Sequence, residues 1–120
     1  MTLKERCDAV EETYEFMLAY AAQGLASDAG SQTGSQVREY LRKAQAALTD
    51  IHEACLAEGV PHKFTTVVFG DAQAALAAIE LVLAQPAISS QLIDNLNASI
   101  HLRALLTDLF LIDETLKLRP

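Results

Sequence analysis

The chain reads as an all-α protein: a single domain over residues 1–120, folded as an antiparallel up-and-down four-helix bundle. Three observations predict this. Apolar residues recur at alternating steps of three and four, the period of helices packed along a seam. The composition is 51% hydrophobic with five Gly, three Pro and no Trp, and Ala and Leu, both strong helix formers, dominate it. Only three stretches carry turn chemistry, and they divide the periodic sequence into four. A chain of 120 residues is the size of one domain and can bury a real core.

The first helix is expected over residues 3–25. Thr2 and Glu5 fit a capping box, in which each side chain takes an orphan amide of the first turn. Leu3, Cys7, Val10, Tyr14, Met17 and Ala21 mark its seam, Lys4, Asp8, Glu11, Glu12 and Glu15 its outer face. Phe16, Leu18 and Tyr20 widen the apolar band, so this end should be the more deeply buried. Residues 26–36 are small and polar and read as a flexible connection. With no strand before its glycines and no Lys after them, it is not a phosphate cradle. Ser35, or a box from Thr33 to Gln36, should cap the second helix.

That helix is expected over residues 36–58, with Val37, Leu41, Ala44, Leu48, Ile51 and Cys55 as its seam. Gly59 suits the left-handed position after the last turn, Val60 the apolar contact beyond it, and Pro61 blocks continuation. The third helix is expected over residues 65–85. Its first turns are β-branched and weakly helical, but a lone strand would find no partner in this chain. The fourth, over residues 89–118 behind a Ser89 or Ser90 cap, would be about 42 Å long. Between Ile100 and Ile112 it is apolar well beyond the band of roughly 100° that a surface helix needs.

The charge excludes some partners. Nine Lys and Arg against 16 Asp and Glu leave a net charge of −7, whereas nucleic acid and anionic membranes reward clustered cations. Asp71, Glu80, Asp94 and Asp108 interrupt every apolar run, so no membrane span is expected. The N-terminus lacks the apolar stretch of a signal peptide, and a cytoplasmic protein is the expectation.

Few residues offer chemistry. If the first two helices fold back about the middle of their connection, Tyr14 meets Leu48 and Cys7 meets Cys55. Such a pair would be buried, reduced and within about 10 Å Cα to Cα, since packed helices lie 8–10 Å apart. Cys7, His52 and Cys55 are weak candidates for a metal site, without a Cys-x-x-Cys pair to strengthen them. No Glu-x-x-His occurs for a di-metal bundle, and no Ser/His/Asp set can be assembled. No cofactor and no enzymatic activity are expected.

An acidic helical chain of this length with a histidine on its last helix, His101, resembles in outline the histidine phosphotransfer domains. The resemblance implies a phosphate on His101. It departs from the pattern where those domains place a Lys and a small residue soon after the histidine, because Leu102, Arg103, Ala104 and Leu105 follow here. Asp94 and Asp108 on the same stripe would repel a phosphohistidine.

The leading expectation is a non-enzymatic interaction protein, a dimeric adaptor or chaperone-like partner. It rests on apolar surface that a small bundle cannot hide within itself. The homodimer would form through the third and fourth helices, with Leu102, Leu105, Leu109, Ile112 and Leu116 as its ridge, and another protein is a further possible partner. The alternative is a small apolar ligand or metal held between helices, with Tyr14, Tyr20 or Arg103 as polar anchors.

Overall fold

The computed structural model describes residues 1–120 and is all-α, with six helices and no strand: α1 (Leu3–Ala21), α2 (Gln32–Leu48), α3 (Ile51–Ala57), α4 (His62–Leu83), α5 (Ser90–Ala98) and α6 (Ile100–Lys117). The molecule measures 48 × 24 × 22 Å. α1 packs chiefly on α2 and α5, and α4 on α6 and α3. The expected capping box is present, with Thr2 and Glu5 each taking the other's backbone N–H. Gly59 ends α3 at φ +78°, the Val60 N–H returns to Cys55 O, and α4 begins directly after Pro61.

The architecture is not a clean four-helix bundle, because two of the four expected helices are broken. The 36–58 segment breaks at Thr49 and Asp50. Asp50 takes φ +60°, a left-handed conformation that Asp tolerates better than most residues. The Arg6 guanidinium accounts for the carbonyls this leaves, donating to Ala47 O and Thr49 O. The 89–118 segment breaks at one residue. Ser99 closes α5 with its N–H on Leu96 O and opens α6 by accepting from the His101 N–H. Serine suits that double duty, since its hydroxyl competes for helical amides.

The connection between α1 and α2 is not the loose tether its composition suggests. α2 starts at Gln32 with Ser31 as its cap, earlier than Ser35 would place it. Gly34 lies so close to Asp28 that an added Cβ would stand 2.1 Å from the Asp28 carbonyl oxygen. Asp28 in turn ties this loop to the α4–α5 connection. Its carboxylate accepts from the Ile88 N–H at 2.8 Å and from Arg38 Nε at 2.9 Å. Arg38 also donates to Leu83 O and Gln85 O. Beside this latch, Ser90 exchanges two hydrogen bonds with Leu25 and donates to Tyr20 O, while the Tyr20 hydroxyl donates to Ile88 O.

The early start of α2 also resets the register of the first hairpin. Thr13 donates to Tyr40 O, the Phe16 and Tyr40 rings stack, and Lys43 pairs with Glu12. These contacts set Cys7 level with the end of α2, and Cys55 comes near it from α3 rather than from a continuous second helix.

Candidate interaction face on α4 and α6

α4 carries an unusual distribution of charge. Between Lys63 and Glu80 its only formal charge is Asp71, and α6 from Ile100 to Ile112 has only Arg103 and Asp108. By contrast, α1 bears seven charged residues in its first thirteen. α4 is long and apolar enough to cross a membrane, yet only 33% of its most apolar window is buried within the chain. Its core face is Thr65, Val68, Ala72, Ala75, Ile79 and Val82. The side toward and beyond α6 therefore carries Val67, Asp71, Ala74, Ala78 and Leu81, three and four residues apart.

α6 meets it with a matching stripe. Leu102, Leu105, Leu109 and Ile112, expected as the ridge of a dimer, are all buried inside the chain's own core, and Leu116 is half-buried against it. They are unavailable to a partner in this fold, because α6 turns that ridge toward α4 and α1. The apolar side chains left outside are different ones: Ile100, 75% exposed, and Leu111, 53%, on the α4 side, and Phe110 further round. With Leu81, 67% exposed, and Val67, they make one face across the two antiparallel helices. At one end Leu81 and Ile100 protrude. At the other, Val60, Pro61, Phe64, Leu111, Ile112 and Thr115 line an open hollow of about 270 Å³.

Asp71 and Asp108 lie in the seam between these helices, within hydrogen-bonding reach of each other. Asp71 is half-buried and Asp108 only 6% exposed. Asp108 Oδ2 is buried and receives no N–H or hydroxyl, and neither carboxyl has an ion pair. Burial, then the hydrogen bond and charge of Asp71, push Asp108 up to about 7. Sequence reading treated both acids as interruptions of apolar runs, and Asp108 also as a neighbour of His101, but did not bring them together. Their isolation in those runs was the available signal, since a lone acid amid apolar residues needs a partner.

Of the other candidate residues, only the two cysteines come near each other. Cys7 and Cys55 are free and buried, each close enough to the other for Cys55 to act on the Cys7 thiol. Burial is the main cause that raises Cys7 to about 12 and Cys55 to about 11. Neither forms much thiolate at neutral pH, and both should label with a thiol reagent only at the rate of unfolding. Rapid reaction of the native protein would contradict that. His52 does not join them. Its ring meets Phe69 edge-on at 4.7 Å, and its nearest ligand-type neighbours are the exposed Asp50 and Glu53. His101 is exposed on the first turn of α6. Among the expected ligand anchors, Tyr20 is spent on Ile88 O and Arg103 is exposed. The void between Val10, Met17, Leu41, Ile79 and Leu102 is about 10 Å³, no more than a single water needs.

The chain matches no protein-family model, no curated protein and no solved structure.

Proposed function

We propose that the chain is a non-enzymatic interaction protein that pairs with a second copy of itself through the outer face of α4 and α6. The observation that carries this reading is that an apolar, nearly uncharged face persists on an otherwise acidic chain. Two copies bearing −7 each repel wherever their charged faces meet. Across α4 and α6 that repulsion is least, and burial of a Leu or Ile is worth roughly 1.5–3 kcal/mol.

The shape of the face also favours a copy over an unrelated partner. An isologous pair needs a self-complementary patch. A two-fold axis near Asp71 would seat Leu81 and Ile100 of each copy over the hollow beside Phe64 and Leu111 of the other. From Phe64 to Leu81 the face runs about 25 Å and is two helices wide, on the order of the ~800 Å² per partner that stable interfaces use. The dimer would then present its acidic α1 and α2 outward, as an adaptor or assembly chaperone can use.

The test is sedimentation equilibrium of the wild type against a Leu81→Glu/Ile100→Glu variant. Both side chains are mostly exposed, so the variant keeps its fold. The wild type is expected as a dimer at tens of micromolar, and the variant as a monomer with affinity weakened about 100-fold or more. A monomeric wild type, or an unaltered dimer in the variant, refutes the face.

A further inference from the structure

We infer that the Asp71–Asp108 carboxyl pair makes self-association through the α4–α6 face depend on pH, tightening the dimer in acid and releasing it in alkali. This rests on the proposed pairing of two copies. Its geometric basis is the position of the pair. Asp71 lies four residues after Val67 and three before Ala74; Asp108 lies four after Ala104 and three before Leu111. Both carboxyls therefore belong to the floor of the face, near its middle. Asp108 is already out of water, while Asp71 keeps part of its surface in solvent.

Seating a second copy would remove that water and bring two such pairs close to one axis. Both changes penalise ionised carboxylates more than protonated ones. Association must then take up protons, and by linkage its strength falls as pH rises through the titration of Asp108. With Asp108 raised to about 7, the transition falls around neutrality.

The surroundings leave the pair uncompensated. From α4 the group acting on Asp108 is Asp71, and from α3 the Cys55 thiol feels its charge. Arg6 of α1 acts on that same thiol while its guanidinium is bonded to Ala47 O and Thr49 O. On α2, Arg38 is paired with Asp28, and on α5, Asp94 is exposed beside the hollow at Gly24. Lys63 on α4 and His101 and Arg103 on α6 are exposed and form no ion pair with either carboxyl.

The experiment is sedimentation equilibrium of the full chain from pH 6 to 8.5, for the wild type and for Asp71→Asn/Asp108→Asn. One proton taken up per dimer weakens the wild-type Kd about tenfold per pH unit above neutrality. The doubly substituted protein, which keeps shape but cannot ionise there, is expected to dimerise with little pH dependence. The three histidines are common to both proteins, so a difference in slope between them is assigned to the two carboxyls. A wild-type dimer with a flat profile, or the same slope in both proteins, overturns the switch while leaving the interface standing. A wild type that stays monomeric at every pH overturns the interface and the switch together. A carbon-detected titration of the Asp108 carboxyl, expected near neutrality, supplies a check independent of assembly; an ordinary carboxylate value would overturn the switch.

Discussion

Leu105→Ala is expected to lower the free energy of unfolding by about 2–5 kcal/mol, the range for removing a fully buried leucine from a packed core. Leu105 has no exposed surface and lies on the buried ridge of α6. The cost combines the lost transfer energy of its methyl groups with the cavity left behind. α4, α5 and α1 close on this ridge and are themselves held by other helices, so little collapse can relieve that cavity. Denaturant unfolding should be measured in the monomeric Leu81→Glu/Ile100→Glu background, where stability does not vary with protein concentration. A change below about 1 kcal/mol would mean that the ridge is not core. Were it an interface instead, the same substitution would weaken a dimer and spare the monomer.

Arg38→Ala is expected to cost roughly 3 kcal/mol, at the upper end for a hydrogen-bonded charged group. One guanidinium holds Leu83 O, Gln85 O and the Asp28 carboxylate, joining the α1–α2 loop to the end of α4. The Arg38 and Asp28 side chains are 23% and 15% exposed, so water replaces those bonds poorly. Lysine at position 38 should recover only part of the loss, since a point charge cannot serve three acceptors arranged around a planar fork. The latch also predicts an acid limb. The Ile88 N–H first, and Arg38 beside it, hold Asp28 below its ordinary value of 3.8. A depressed folded value means that the stabilisation is complete above about 4 and is lost as pH falls through the folded value. Thermal unfolding between pH 2 and 5 should show this limb in the wild type and a smaller one in Asp28→Asn. Equal limbs in the two proteins would place the acid sensitivity elsewhere.

The parts of this fold that were legible in advance are those set by neighbours in sequence. Thr2 and Glu5 cap α1 because both partners sit within one turn. Gly59, Val60 and Pro61 end α3 because the left-handed residue, the apolar contact and the block are consecutive. The seams of α1 and of the α2–α3 segment were readable because their outer faces are charged, which leaves one apolar stripe to bury. Tyr20 is fully buried as the widening apolar band implied, but Leu18 of the same band is 47% exposed.

The breaks at Asp50 and Ser99 were hidden because no proline or glycine marks them. Each depends on remote or capping groups for its freed carbonyls and amides, as Arg6 shows for Ala47 and Thr49. Arg38 follows the seam residue Val37 directly, and nothing local indicates that its reach ends on carbonyls more than forty residues away.

On α6 the same limit decides the interaction face. Periodicity separates polar from apolar sides, but this helix is apolar most of the way round, so several ridges satisfy it equally. Amino-acid order therefore established an acidic, helical chain with more apolar surface than local pairing consumes. The direction in which α4 lies against α6 selected the rest: it buried Leu102, Leu105, Leu109 and Ile112, left Leu81, Ile100 and Leu111 in solvent, and brought Asp71 and Asp108 together. Close packing of side chains from segments far apart in the chain makes that selection, and no pattern within a single helix contains it.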